Sequence, residues 1–323
     1  DPAGGNRHDA IPVHGVHRHA NRAKADDRAD DRVGGRDRPA LDGGDQQPGA
    51  GGEQGGQHAQ DHLVRADGFG IDDAAANGLG YRAVDVEDGL DGDVLGQLGQ
   101  PTAVIHAATC YGRGGEDEAR IFAANLEFPK QVLVAARAAG ARLFINSDTS
   151  LAADLNAYAA SKAEFRRCLE RQAEAGGVPA VNLRLEHFFG PGDDDSKFVS
   201  YLIRSCLNNV PSLDLTAGTQ RRDFIHVDDT VSAYLTVLGR APSQGCVNLD
   251  VGSGQAVTVR ALVEQIHALS ESETQLNFGA RPMRANEAML CEADTRPLQA
   301  LGWRCRYTLE QGLKRTIEQE KAA

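Results

Sequence analysis

The chain has 323 residues and a net charge of -12, from 46 acidic and 34 basic residues. This length suffices for one large domain or two ordinary ones, while the negative charge argues against nonspecific binding of nucleic acid or of anionic lipid. No segment approaches the roughly 18 consecutive apolar residues of a membrane-spanning helix, so we expect a soluble, cytoplasmic protein with no membrane or nucleic-acid partner.

The first eighty residues differ from the rest of the chain. They hold ten Ile, Leu, Val, Phe, Met, Trp, Tyr or Cys residues beside sixteen Gly and thirteen Asp. Such a segment cannot bury enough apolar surface to offset roughly 1–2 kcal/mol of backbone ordering per residue. We therefore predict that residues 1–80 are disordered or poorly packed and contain no regular element. Their composition also resembles a GC-rich coding sequence translated in a wrong frame.

From residue 81 onward, short apolar runs alternate with amphipathic stretches. Pro129 should kink one of the predicted helices and leave the carbonyl of Asn125 without its hydrogen bond. The order of strands and helices predicts an α/β fold with a Rossmann-like parallel sheet flanked by helices. Predicted strands cover residues 102–108, 142–147, 180–186 and 247–251, and predicted helices cover 118–139, 157–174, 197–207, 258–269, 309–320 and a segment capped by Asp228 or Asp229 that ends at Leu238.

The strongest chemical signal is Tyr158 with Lys162, one helical turn apart and therefore on one face. Phe165 and Leu169 continue that face, which places Lys162 on an apolar stripe. An ammonium beside a phenol should lower the tyrosine pKa from about 10 and make it a proton donor and acceptor near neutral pH. The alternative is a lysine whose stem covers a packed tyrosine while its amine reaches water.

The predicted strand before this helix ends near hydroxyl side chains, at the edge where open α/β sheets bind ligands. In this setting the chain resembles the extended short-chain dehydrogenase/reductase family. The resemblance rests on VIHAA at 104–108, Asn125, Thr149, YAASK at 158–162, Arg184 with GPG at 190–192, and RDFIHVD at 222–228.

This resemblance implies catalytic roles for Thr149, Tyr158 and Lys162. Tyr158 would protonate the sugar C4 oxygen as hydride arrives, Thr149 would bind the same oxygen, and Lys162 would hold the nicotinamide ribose. The cofactor would also contact Ala107 and Ala108. The implied chemistry is consistent, because a carbonyl that becomes an alkoxide needs a donor aimed at the developing charge.

The resemblance also implies substrate contacts by His187, Asn125 and two arginines. Arg222 and Arg284 would bind the diphosphate, since a guanidinium matches phosphate oxygens. For Asn125, a structural role beside the Pro129 kink is the alternative. The implied domains are an incomplete dinucleotide-binding domain in residues 81–190 and a smaller, partly interleaved substrate-binding domain in residues 191–323.

Within the family, the segments 184–198, 206–224, 278–290 and 301–303 resemble reductases of a CDP-linked 4-keto-3,6-dideoxyhexose. We predict a nicotinamide-dependent reductase of a nucleotide-linked 4-keto-deoxyhexose, from lipopolysaccharide O-antigen biosynthesis, with NADPH favoured over NADH by resemblance. A homodimer is implied in the same way. Two alternatives stay open: an epimerase or dehydratase of the same family, and a non-catalytic remnant that binds sugar nucleotide only.

The remnant is an alternative because no strand followed by a glycine-rich phosphate-binding turn is recognisable near the N-terminus. The glycines at 49, 52 and 55 have the spacing but no preceding apolar strand. We expect no metal site: the histidines at 8, 14, 17 and 19 and the acidic run 193–195 are interpreted as a low-complexity tract and a solvated turn. Six scattered cysteines without a CxxC pair predict reduced thiols.

Overall fold

The computed structural model describes residues 13–16 and 81–84 as strands, and residues 102–240, 242–285 and 287–322 in full. The glycine pattern at 49–55 and the histidines at 8, 17 and 19 lie outside the described residues. The strands are β1 (Val13–Val16), β2 (Tyr81–Val84), β3 (Ala103–His106), β4 (Phe144–Thr149), β5 (Ala180–Leu185), β6 (His187–Phe189), β7 (Ser212–Leu215), β8 (Arg221–His226), β9 (Cys246–Val251), β10 (Ala256–Thr258) and β11 (Gln275–Phe278).

The helices lie close to the predicted ranges. The longest begins and ends where it was predicted, because the Asn156 side chain accepts a hydrogen bond from the backbone N–H of Ala159 and caps it. The described helices are α1 (Glu118–Phe122), α2 (Phe128–Ala138), α3 (Ala157–Glu174), α4 (Phe198–Leu207), α5 (Val227–Arg240), α6 (Val259–Leu269), α7 (Arg296–Ala300) and α8 (Leu309–Ala322), with a π-helical turn, Ala123–Glu127, between α1 and α2.

A six-stranded parallel sheet with the order β2-β1-β3-β4-β5-β9 confirms the predicted α/β, Rossmann-like class. The strand order reverses between β1 and β3, and open sheets of this kind bind ligands at the carboxyl edge of such a point. β4 is buried along its whole length. The predicted site residues at the end of β4 therefore lie at the carboxyl edge of a fully buried strand.

The prediction that residues 1–80 contain no regular element differs from the structure at β1. This strand pairs in parallel with β2 on one side and β3 on the other. Backbone pairing on both sides satisfies the N–H and C=O groups of a four-residue segment whatever its surroundings in sequence. The average composition of residues 1–80 therefore did not reveal the four-residue strand β1.

A second group of elements follows β5 and has an apolar core of its own. It comprises a three-stranded sheet, β10-β8-β6, and a two-stranded sheet, β11-β7. These strands are three to six residues long, and none of them was predicted from the sequence. The core that they share with α4, α6 and α8 includes Phe189, Leu202, Phe224, Leu262, Ile266 and Leu313.

Asp229 was predicted as a helix cap, and the structure uses it differently. α5 begins earlier, at Val227, and the fully buried Asp229 carboxylate accepts hydrogen bonds from the backbone N–H groups of Arg306 and Tyr307, each at 3.0 Å. It therefore ties the segment before α8 to the start of α5. The partners are nearly eighty residues away in sequence, so a local cap signal could not reveal them.

Asp223 is a second fully buried carboxylate that joins distant segments. It accepts hydrogen bonds from the N–H groups of Ser253 (2.8 Å), Gly254 (2.9 Å) and Ala293 (3.2 Å). A Cβ atom on Gly252 would lie 2.5 Å from the Asp223 carboxylate. The glycines of the 248–254 run thus fit the predicted turn, which closes around Asp223.

Replacing Asp223 by Ala should lower the free energy of unfolding by about 3–5 kcal/mol, because one buried and two partly buried N–H donors lose their acceptor. Urea denaturation followed by circular dichroism measures this loss. The exposed Asp154 provides the control, and Asp154→Ala should change the free energy by less than about 0.5 kcal/mol. Equal losses in the two variants would contradict a structural role for Asp223.

Candidate active site

Lys162 lies in the interior, against the carboxyl end of β4. Its side chain is 2% exposed, and its Nζ donates a hydrogen bond to the Ser147 carbonyl at 3.0 Å. The alternative of a lysine that reaches water is therefore wrong. Burial lowers the pKa of Lys162 to about 8, while the charge of Asp148 acts to raise it. The chain thus keeps an amine that titrates close to neutral pH beside this strand.

Tyr158 is half-buried at the same edge of the sheet. Its ring packs against Tyr111, with 5.1 Å between the ring centroids. Burial and the neighbouring Tyr111 raise the pKa of Tyr158 well above 10, although hydrogen bonding to the hydroxyls of Thr149 and Thr109 opposes the rise. The phenol is therefore held protonated at neutral pH, within hydrogen-bonding reach of two threonines.

The prediction that Lys162 lowers the pKa of Tyr158 is wrong for this structure. Loss of water penalises the phenolate more than the two threonine hydroxyls favour it, so the pKa of Tyr158 is raised rather than lowered. The amine of Lys162 is bound to the Ser147 carbonyl, and its own charge is opposed by burial. The arrangement therefore favours a proton donor over a phenolate base.

Asn125 is fully buried in the π-helical turn that directly precedes the first turn of α2, where Pro129 lies. Its amide oxygen accepts from the N–H of Cys110 at 2.8 Å, and its amide nitrogen donates to the Cys110 carbonyl at 2.8 Å and to the Ser161 hydroxyl at 3.2 Å. These contacts join the loop after β3 to α3. They describe the structural alternative for Asn125, and a contact with substrate stays a prediction.

Three residues of this site were not singled out from the sequence. Thr109 and Tyr111 follow β3, and the tie through Asn125 holds their loop against α3, where both approach Tyr158. Asp148 lies between Ser147 and Thr149, and its carboxylate accepts from the N–H of Thr149 at 2.8 Å. Proximity to the carboxyl ends of adjacent strands was the only signal that could have identified them.

The two alanines predicted to contact a cofactor lie at the carboxyl end of β3. Ala107 is exposed and Ala108 is buried, so the edge of the sheet is lined there by a methyl group that leaves room for a ligand. The ammonium of Lys162 has three donors, and the Ser147 carbonyl takes one of them. Small side chains and a buried cation fit the ribose and nicotinamide end of a dinucleotide.

The residues predicted to bind substrate lie on the second group of elements. His187 is partly exposed, and its Nδ1 lies 3.4 Å from the carboxylate of the buried Glu186. Arg222 is 10% exposed at its side chain, donates to the Arg221 carbonyl at 2.8 Å and forms an ion pair with Glu287. Arg284 is exposed. A cation predicted to bind phosphate is therefore neutralised by a carboxylate of this chain.

The acidic turn is bound to cations from the protein. Asp193 pairs with Lys197 at 2.8 Å, and Asp195 pairs with Arg204. Among the described residues, no group of three or more His, Cys, Asp or Glu side chains is arranged to hold a metal ion. None of the six cysteines, all of which lie in the described ranges, forms a disulfide bond. Within the same ranges, no helix combines the length and the apolar character needed to cross a bilayer.

Comparisons with known proteins agree with this geometry. The model of the NAD dependent epimerase/dehydratase family matches residues 82–250. CDP-abequose synthase of Salmonella muenchen is 32% identical over 226 residues, which cover 68% of this chain and 77% of that protein. The resemblance found in the sequence is thereby confirmed.

Two solved structures show the same fold. MoeE5 in complex with UDP-glucuronic acid and NAD has a TM-score of 0.66 at 25% identity, over 76% of this chain and 86% of that chain. RMD from Pseudomonas aeruginosa complexed with NADPH has a TM-score of 0.62 at 23% identity, over 75% and 91%. One of these relatives was solved with NAD and the other with NADPH.

Proposed function

Because this chain belongs to the NAD dependent epimerase/dehydratase family, we propose that it is a nicotinamide-dependent reductase of a nucleotide-linked 4-keto-deoxyhexose. The family and the relatives make it an NAD(P)-dependent enzyme of the extended short-chain dehydrogenase/reductase type. The observation that carries the choice of reduction is the protonated phenol of Tyr158, held at the carboxyl edge of the sheet beside Thr149.

Reduction of a ketone needs a proton donor at the carbonyl oxygen. As the carbon accepts hydride, negative charge develops on this oxygen, and a donor already aimed at it stabilises the transition state. Tyr158 would give its proton to that oxygen, and the Thr149 hydroxyl would hold the oxygen in place. A bound nicotinamide cofactor supplies the hydride. The raised pKa of Tyr158 suits this direction of proton transfer.

The remaining residues would orient the reactants. Lys162 would donate to ribose hydroxyls of the cofactor from its position behind Tyr158, and the exposed Ala107 would allow the cofactor to lie against β3. His187, Arg222 and Arg284 would bind the nucleotide-linked sugar. The likeness to CDP-abequose synthase supports a CDP-linked 4-keto-3,6-dideoxyhexose as substrate, and NADPH is the cofactor that we propose.

The test is direct. Purified protein is mixed with NADPH or NADH and with CDP-, dTDP- or GDP-linked 4-keto-deoxyhexose, and both cofactor oxidation and the sugar product are measured. Reduction at C4 with the CDP-linked sugar supports the proposal. A stereochemical change without net oxidation of added cofactor identifies an epimerase, and loss of water identifies a dehydratase. No binding of either dinucleotide in a fluorescence titration identifies the non-catalytic remnant.

The Arg222–Glu287 ion pair leads to a prediction about nucleotide binding. Substitution Glu287→Gln should strengthen binding of CDP roughly fivefold, since the phosphate no longer competes with a carboxylate for Arg222. Isothermal titration calorimetry measures this change. Arg222→Met should act in the opposite direction, and weaker binding by Glu287→Gln would show that Glu287 itself holds the nucleotide.

We also propose the homodimer, through the helices that contain Asn125 and Tyr158. Val134 on α2 is 70% exposed, which leaves an apolar side chain available on this part of the surface. Light scattering after size-exclusion chromatography measures the mass, and a monomer at micromolar concentration would contradict the proposal.

A further inference from the structure

The buried carboxylate of Asp148 lies between two residues of the site, Ser147 and Thr149. Asp148 follows Ser147, whose carbonyl binds Lys162, and precedes Thr149, whose hydroxyl approaches Tyr158. The side chain of Asp148 has no exposed surface. Its oxygens accept hydrogen bonds from Thr149 N at 2.8 Å, Asn182 Nδ2 at 2.6 Å and Arg166 Nε at 2.6 Å. The carboxylate is thus fixed from three directions.

A chain of hydrogen bonds across three strands ends at Asp148. Burial lowers the pKa of His106 to about 3, so this histidine is neutral, and its Nδ1 lies 2.9 Å from Asn146 Oδ1. Asn146 Nδ2 donates to Asn182 Oδ1 at 2.7 Å, and Asn182 then donates to Asp148. Each asparagine in this series of hydrogen bonds donates its Nδ2 to the next side chain. The last position therefore needs an acceptor, which the carboxyl group of Asp148 supplies.

Among the described residues, Asp148 is the group whose charge acts on Lys162, and Arg166 forms an ion pair with Asp148. His106 on β3 is neutral, and burial raises the pKa values of Tyr158 on α3 and Tyr234 on α5, which keeps both phenols uncharged. Tyr111 packs on Tyr158 from the loop after β3. Asp148 favours the charged form of Lys162, and Arg166 Nε lies 2.6 Å from Oδ2 of the same carboxylate.

We propose that Asp148 is a positioning residue that keeps Lys162 charged and holds the backbone of Thr149, and that Arg166 weakens this effect by neutralising part of the Asp148 charge. Arg166 lies one helical turn beyond Lys162 on α3, so Tyr158, Lys162 and Arg166 present one face to β4. The helix thus supplies both the titrating amine and the cation that tunes its counter-ion. The catalytic consequence rests on the proposed function, whereas the charge of Lys162 does not.

Two substitutions that break the same ion pair separate this role from a merely structural one. Asp148→Asn removes the negative charge and should move the titration of Lys162 about one pH unit below its position near 8. Arg166→Met removes the positive charge, leaves the carboxylate uncompensated and should move the same titration upward. Loss of packing alone would not move the two titrations in opposite directions.

The titration is measured in the full chain without cofactor, by NMR of ¹³C-labelled lysine side chains. The sequence contains six lysines, and the signal absent from Lys162→Met identifies the buried one. Arg167→Met is the matched control, because Arg167 is the neighbouring residue on α3, its side chain is 59% exposed, and the substitution removes the same charge. This control should leave the titration of Lys162 unchanged.

Opposite shifts in Asp148→Asn and Arg166→Met support the inference. An unchanged titration in either variant, or shifts of the same sign, overturns it. If Asp148→Asn does not fold, the double variant Asp148→Asn with Arg166→Met decides, because it leaves neither member of the ion pair uncompensated. Its Lys162 titration should lie below that of Arg166→Met alone, and equal titrations overturn the inference. Opposite shifts in a protein that reduces no 4-keto sugar would leave the inference standing and reject the proposed function.

Discussion

Substitution Tyr158→Phe is expected to lower kcat for reduction of the 4-keto sugar by about 10²–10⁴-fold. The phenylalanine ring keeps the contact with Tyr111, so packing survives, but the group proposed to protonate the developing alkoxide is lost. Dinucleotide affinity should stay nearly unchanged, because Lys162 is the residue proposed to hold the ribose. Initial rates at saturating substrate, together with a fluorescence titration of the cofactor, measure the two effects separately.

The exposed Tyr201 on α4 provides the matched control. Tyr201→Phe removes the same hydroxyl from a side chain that is 49% exposed, and kcat should not change. In the wild-type protein, ionisation of Tyr158 should not limit the rate at neutral pH, because burial holds its pKa well above 10. Unchanged turnover in Tyr158→Phe would reject the phenol as proton donor and would require another donor on this edge.

The sequence predicted those parts of the fold whose signals are local. The helical period located α3, and the spacing of four residues brought Tyr158 and Lys162 to one face. Short strands of the second group, such as β6 with three residues, leave no such period. They were therefore missed, although His187 at the start of β6 was predicted as a site residue.

The sequence could not predict contacts that depend on the fold as a whole. Arg222 and Glu287 are 65 residues apart, and nothing in either segment signals their ion pair. The pKa of Tyr158 was predicted in the wrong direction, because helical spacing gives a neighbour but does not give the extent of burial. Arg166 offered one usable signal: it extends the spacing of Tyr158 and Lys162 by a further turn.

Lys162 is expected to lower the free energy of unfolding and yet to be required for activity. Replacement by Met should abolish turnover and weaken dinucleotide binding, since a thioether cannot donate to a ribose hydroxyl. The same substitution should raise the free energy of unfolding by about 1–2 kcal/mol at pH 7. Burial of the ammonium costs about 3 kcal/mol for a pKa lowered from 10.5 to about 8, and the lost hydrogen bond to Ser147 offsets about 1 kcal/mol of the gain.

The pH dependence of this stability difference gives a further check. The pKa of Lys162 in the folded state, about 8, lies below the unfolded value of 10.5, so the unfolded chain binds more protons between these two values. The penalty is fully present below about pH 8 and is lost as the pH rises toward 10.5. The difference between Lys162→Met and wild type should therefore shrink over this range, as measured by urea denaturation.

Lys130 provides the control for this experiment, because its side chain is 38% exposed and pairs with Glu127 on the surface. Lys130→Met should change the free energy of unfolding by less than about 0.5 kcal/mol at any pH in the series. Suppose instead that Lys162→Met unfolds more easily than wild type at pH 7. The buried amine of Lys162 would then increase the free energy of unfolding, and stability alone would explain why the chain keeps it. A more stable but inactive variant shows the reverse: the chain keeps a destabilising cation because the site requires it.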